Sequence, residues 1–253
     1  MGKITTLICA TLAVALLTDS ATGQSDLSPQ PLLVVADQAV FSSDFSKPMK
    51  KLDKTTFRRR QGTQWEIADG VLRGQESSKE YQAARKHHYG YEPRLIFPKT
   101  PNSFAANFRI RFIGGKETSI APFIEFGHHV CRVRFSQEGV LLLARGEAFK
   151  LAEARDFVWE TDRWYRMTAE MKDAQFVLQI ADGPTLFAEH ASFAMPSSSG
   201  GKAMGIAGPR HGRVEIDDFS IWSTKSATLP SWLATKEAMP VFEPIQLKEP
   251  KKK

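Results

Sequence analysis

Cysteine is almost absent from this 253-residue chain: there are two, Cys9 and Cys131. Cys9 lies in an N-terminal apolar run, so the remainder of the chain holds one thiol and no intramolecular disulfide. Stability must then come from packing, for which some 230 residues suffice. No apolar run approaches the ~20 residues that a spanning helix needs. The longest, Ile4 to Leu17, follows Lys3 and precedes Ala21-Thr22-Gly23. A positive start, a short apolar stretch and small residues before a cut make a secretory signal, with cleavage expected before Gln24. No small residue stands where a lipobox would need it ahead of Cys9, so a lipid anchor is not expected. Secreted or periplasmic residence follows, with no membrane span after cleavage. Nucleic-acid-binding motifs are absent too. The net charge of +6 is half accounted for after Thr224, where six lysines face three glutamates. That Pro/Lys-rich end reads as a solvated tail.

What is present is period-two alternation. Ala106, Phe108, Ile110 and Phe112 fall in one phase, and Asn107, Arg109 and Arg111 in the other. The run FIEFGHHVCRVRF from Phe123 to Phe135 breaks at Gly127-His128, which suits a two-residue type II′ hairpin turn. That turn pairs Phe126 with His129, Ile124 with Cys131 and Phe123 with Arg132. Ile124, Phe126, Cys131, Val133 and Phe135 then fill the core, and Phe123, Glu125, Arg132 and Arg134 take the opposite face. Ser136 to Gly139 turns the chain into Val140–Ala144. A second meander runs through Trp164–Met171, Phe176–Ala181 and Thr185–Ala188. Short helices are expected over Ser77–Arg85 and Leu229–Ala238. The expected architecture is an all-β sandwich or jelly roll of two antiparallel sheets. Its divisions are a signal peptide at 1–23, an extended lead-in at 24–36, one sandwich domain at 37–223 and a tail at 224–253.

The stretch HGRVEIDDFSIWS, His211 to Ser223, carries two adjacent aspartates inside a strand pattern. Val214 and Ile216 share one phase, and Phe219 and Ile221 the other. One extra residue at Asp217-Asp218, a β-bulge, restores a continuous apolar face. Two chemical readings compete with it. Glu215-Ile216-Asp217 starts like the E-x-D-x-E or E-x-D-x-x-E signature of family-16 glycoside hydrolases, but Phe219 and Ser220 stand where the second glutamate belongs, and a retaining mechanism needs both. Calcium at Asp217 and Asp218 is the other.

With this strand in place the chain resembles the concanavalin-A-like jelly rolls of the 3-keto-disaccharide hydrolase-like (laminin-G/glucanase-like) group. The likeness rests on Trp65 to Leu72, Phe108 to Phe112, Trp164-Tyr165-Arg166 and Val214 to Phe219, within about Phe41 to Trp222. Gly114-Gly115-Lys116 stands near the place where many members have a Gly-Asn-Ser-Gly segment. Gly127 to Val133 is similar to the G-H-x-C-R-V strand of secreted members, with His129 added. The resemblance implies association with carbohydrate, a glycan or glycoside as partner, and more weakly hydrolysis.

Sugars are held by aromatic plates and by planar polar groups that bond neighbouring hydroxyls. The ligand-binding candidates are accordingly Arg132, Arg134, Phe123 and Glu125, joined by Arg109 and Arg111 if their strand shares that sheet. Trp159, in a connecting segment, is a further candidate, whereas Trp65, Trp164 and Trp222 are expected in the core. Glu125, Asp217 and His128 are the candidates for proton transfer in a hydrolase. His87-His88 and His128-His129, if on strands, point their rings to opposite faces, so neither pair alone can hold an ion. No cofactor beyond possible calcium is implied. Arg58-Arg59-Arg60 and Arg85-Lys86-His87-His88 read as solvated loops. A non-catalytic envelope or assembly protein working through protein contacts is the alternative function. Mass spectrometry of the exported protein is expected to find its N-terminus at Gln24 or within a few residues of it; an intact Met1 form in the membrane fraction would refute export.

Overall fold

The computed structural model describes residues 30–194 and 202–248; the expected signal peptide lies outside them. In chain order the strands are β1 (Val34–Ser43), β2 (Arg58–Arg59), β3 (Thr63–Ala68), β4 (Val71–Ser77), β5 (Arg94–Ile96), β6 (Phe104–Ile113), β7 (Phe123–Phe126) and β8 (Cys131–Ser136). They continue as β9 (Gly139–Ala144), β10 (Phe149–Ala154), β11 (Tyr165–Lys172), β12 (Gln175–Ile180), β13 (Thr185–Glu189), β14 (Met204–Ala207), β15 (Arg213–Thr228) and β16 (Ile245–Gln246). The helices are α1 (Lys79–Ala83), α2 (Ala191–Ala194) and α3 (Trp232–Glu237). Ser78 caps α1 by accepting from the Tyr81 amide at 3.2 Å.

Two eight-stranded antiparallel sheets form the sandwich. Sheet A runs β13-β12-β11-β6-β15-β4-β3, with β1 also on β15; sheet B runs β16-β10-β9-β8-β7-β14-β5-β2. Phenylalanine fills the space between them. Phe97 stacks on Phe219 at 4.2 Å, Phe104 on Phe126 at 5.4 Å, and Phe112 meets Phe135 at 5.8 Å, each pair joining one sheet or its flank to the other. Cys131 is fully buried among them, and burial raises its thiol pKa well above the ordinary value.

The β7–β8 turn differs from the two-residue expectation. Gly127, His128, His129 and Val130 form a four-residue loop, with Gly127 at φ 75° and His129 at φ 62°. Phe126 therefore pairs with Cys131, Glu125 with Arg132, Ile124 with Val133 and Phe123 with Arg134. The register is displaced by two residues, and because side chains alternate with period two, an even displacement leaves every residue on its expected face.

Both expected boundaries also move. Leu33 and Val34, placed in the lead-in, are buried; the amides of Leu32, Leu33 and Val34 donate to the Glu170 carboxylate at 2.8 to 2.9 Å. Residues assigned to the tail continue β15 to Thr228, then fold back as α3. There Trp232 packs with Leu33, Val34, Ala105 and Val177 on the outer face of sheet A. β16 finally joins β10 at the edge of sheet B. An apolar Trp and the open edge of a sheet outweigh the tail's Pro/Lys composition.

Asp217-Asp218 is the bulge. β15 pairs Asp217 with Arg109 but Ser220 with Asn107 on β6, one residue out of step, and Asp218 has φ 47°. Val214, Ile216, Phe219 and Ile221 are all fully buried as a result. Replacing Asp218 with glycine, which takes positive φ freely, is expected to hold stability within about 0.5 kcal/mol, whereas Asp218→Val should cost about 1–2 kcal/mol in urea denaturation. Equal stability of the two variants would show that the bulge does not require this conformation.

Candidate functional site

Three polar groupings stand on the sandwich, and the sheet assignment separates them. The first is on the outer face of sheet A. Odd-numbered residues of β6 point outward there, so Arg109 and Arg111 face β15 and β11. Glu215 lies between Arg73, at 2.8 Å, and Arg111, and its side chain is buried. Arg109 pairs with Asp217 at 3.2 Å, and Asp218 meets Arg166 at 3.1 Å. The Trp164 ring receives the guanidinium groups of both Arg109 and Arg111, each 4.8 Å from its centroid.

Arg109 and Arg111 thus do not join the face of Arg132 and Arg134; they occupy the other side of the molecule, because β6 belongs to sheet A and β8 to sheet B. The tryptophan expectations exchange places for a related reason. Trp159 is buried, stacked on Tyr165 at 4.0 Å and against Phe135 at 4.4 Å, out of reach of a ligand. Trp164 is only partly buried and outward-facing. A sequence signal existed for the second: Tyr165, Met167, Ala169 and Met171 alternate inward, which turns Trp164 outward.

The charge state of this face follows from its pairing. Burial alone would raise the Glu215 pKa, but hydrogen bonds and charge from Arg111 and Arg73 outweigh it and hold the group below its usual value. Burial raises Asp217 instead. The cations beside Asp217 and Asp218 are the guanidinium groups of Arg109 and Arg166.

The second grouping is on the outer face of sheet B. Glu125 on β7 and Arg132 on β8 are register partners, 3.0 Å apart and both buried. Arg132 also pairs with Glu147 and lies 3.8 Å over the Phe123 ring, near which Arg94 stands at 5.5 Å. Phe123 is covered by these groups and is not an open plate. Arg134 reaches outward to the Ser119 carbonyl at 2.6 Å. Gly205 on β14 makes room for Glu125: a Cβ there would stand 2.9 Å from the glutamate Cγ. His128 approaches Glu125 at 3.5 Å. Burial pushes the Glu125 pKa up, and His128 and Arg132 more than offset this, leaving it below its usual value. Of the three candidates for proton transfer, Glu125 and His128 therefore meet here, and Asp217 lies on the far sheet.

The third grouping joins the two basic segments read as separate solvated loops. Arg59, Arg60 and Gln61 form one wall of a cleft of about 460 Å³, and Tyr81 with Ala84 to His88 forms the other. The Arg85 guanidinium lies 4.4 Å over the Tyr81 ring, and Gln61 contacts the His88 ring at 3.2 Å. No carboxylate lines this cleft.

The sheet order and closed Phe core define the chain as a concanavalin-A-like β-sandwich, and solved structures of that architecture align with it. A non-specific endo-β-1,3(4)-glucanase of glycoside hydrolase family 16 aligns with TM-score 0.51 and 8% identity over 78% of this chain and 96% of its own. A putative β-glucanase from Mycobacterium abscessus aligns with TM-score 0.50 and 11% identity over 73% of this chain and 100% of its own. A structure described with the endo-acting O-glycanases of human gut microbiota gives TM-score 0.52 and 8% identity over 74% and 100%. At such identities the likeness is one of fold. No protein-family model and no curated protein matches the chain. Among the described residues no helix is long and apolar enough to cross a membrane.

A group whose folded pKa is depressed contributes stability that is present above its unfolded pKa, near 4.3 for glutamate, and is lost as pH falls through the folded value. Glu215→Gln is therefore expected to cost about 2 kcal/mol at neutral pH, by leaving Arg111 without a carboxylate and Arg73 with Asp69 alone. The difference from wild type should shrink in denaturation series below about pH 4. A pH-independent difference would show that the charge of Glu215 is not what it contributes.

Proposed function

We propose that this protein is an exported glycan-binding β-sandwich whose ligand seat is the basic cleft, and that it selects sugars bearing carboxylate or sulfate groups. The observation that carries this reading is the convergence of Arg59 and Arg60 with Tyr81, Arg85 and Lys86 on one open cleft. Its volume of about 460 Å³ falls in the range of small-ligand sites and suits one or two sugar rings. The Tyr81 ring carries the Arg85 guanidinium and packs on Gly62, so it holds one wall of the cleft, and the guanidinium groups give planar donors for carboxylate or sulfate oxygens. The motif resemblance to the 3-keto-disaccharide hydrolase-like group supports a sugar ligand, and the N-terminal signal pattern supports encounter outside the cytoplasm.

Binding is preferred to turnover on charge grounds. A glycosidase needs one carboxyl group held neutral to protonate the leaving oxygen beside one that is ionised. Both groups are held below the usual carboxylate range, Glu125 by His128 and Arg132 and Glu215 by Arg111 and Arg73, and they lie on opposite faces.

The test is a glycan array paired with a reducing-sugar assay. Retention is expected on sulfated or uronate-bearing glycans, weakening as salt is raised. The variants Arg59→Ala/Arg60→Ala and Arg85→Ala/Lys86→Ala should each lower affinity at least tenfold, since a charge-assisted hydrogen bond contributes roughly 1.5–3 kcal/mol. These side chains are exposed, so the fold should persist. Binding to neutral glycans that survives both variants would overturn the seat, and release of reducing ends would overturn the non-catalytic reading.

A further inference from the structure

The β7–β8 loop carries a separate arrangement that glycan binding does not use. Adjacent histidines on a strand would diverge, but His128 and His129 are in the loop, and the positive φ of His129 reverses the chain between them. Their rings lie side by side with centroids 3.9 Å apart. One donor atom from each, with one carboxylate oxygen of Glu125, all fall within 4.8 Å of one another. We infer that Glu125, His128 and His129 form a binding site for a divalent first-row transition ion such as zinc, nickel or copper.

Three features support a built site. The loop is fixed at both ends of the pair: the Val130 amide donates to the Gly127 carbonyl at 3.0 Å, and the Gly146 amide to the His129 carbonyl at 2.9 Å. The carboxylate is positioned from behind, since Arg132 holds Oε2 at 3.0 Å while Oε1 faces His128 at 3.5 Å. That leaves the second oxygen for the ion. The donor set, two imidazoles and one carboxylate, selects zinc or its transition-metal neighbours over calcium or magnesium, which take oxygen ligands. Metal–ligand bonds of about 2.0–2.2 Å put tetrahedral donors about 3.3 Å apart, so the triad, with donors within 4.8 Å of one another, must draw together to close on an ion. His128 keeps much of its side chain in solvent, so water can reach the ion and complete its coordination.

Isothermal titration of the chelator-treated full chain with zinc, nickel and calcium chlorides tests this. One zinc or nickel ion per chain is expected, with calcium giving no heat of binding. His128→Ala and His129→Ala should each weaken zinc at least tenfold, and the double variant should abolish it. Both substitutions fall in a partly exposed loop, and circular dichroism will verify that the variants stay folded. His87→Ala/His88→Ala, on the basic cleft, is the control and should bind zinc normally. The site is refuted by a wild-type chain that takes no transition ion, by undiminished binding in the folded double variant, by loss of binding in the control, or by calcium binding as tightly as zinc. A metal result of either kind leaves the cleft proposal standing, since that is read on different residues.

Discussion

Sheet A depends on a strand that changes neighbour part-way along. Before the bulge β15 lies between β6 and β4; after it, β15 lies between β6 and β1. A regular strand could not do this and stay buried. Period-two alternation would carry Phe219 and Ile221 to the solvent face once Val214 and Ile216 had been placed inward. One extra residue at positive φ corrects the phase. Phe219 can then stack on Phe97 and reach Phe41 and Phe108, so the same residue that breaks the ladder lets the two sheets close on each other.

The aspartates of the bulge, and the acidic residues around them, show how the sandwich treats charge. Around the bulge and on sheet B these carboxylates are matched by arginine, Glu215 with Arg73 and Arg111, Asp217 with Arg109 and Glu125 with Arg132, whereas Glu170 is held by backbone amides. Such buried or half-buried pairs fix geometry and add little net stability, because desolvation offsets much of the attraction. They also withdraw those arginines from ligand contacts. Arg59, Arg60, Arg85 and Lys86 differ in lying on exposed segments around a cleft that no carboxylate lines. Positive potential open to solvent therefore collects there.

Face parity was legible from the residues. Ile124, Phe126, Cys131, Val133 and Phe135 are all buried as the alternation requires, although the β7–β8 turn is longer by two residues. The bulge was legible for the same reason, since a slipped phase inside one strand has a single economical explanation. Trp164 could have been placed by the alternation of the strand it begins. Trp159 could not: it lies in a connection with no period, and its stacking on Tyr165 depends on where the connection crosses the core.

Local periodicity thus determined the fold class, the inward residues and the bulge, because a strand's two faces are set by backbone geometry that needs no partner. Sheet membership was decided only in three dimensions. Arg109 and Arg132 show identical alternation, yet β6 and β8 lie in different sheets, and strand pairing across long sequence separations is a property of the whole packing. The basic cleft and the Glu125–His128–His129 triad were decided there as well. One joins loops separated by α1 and two strands, and the other exists because a four-residue turn, with His129 at positive φ, brings together rings that a strand would hold apart.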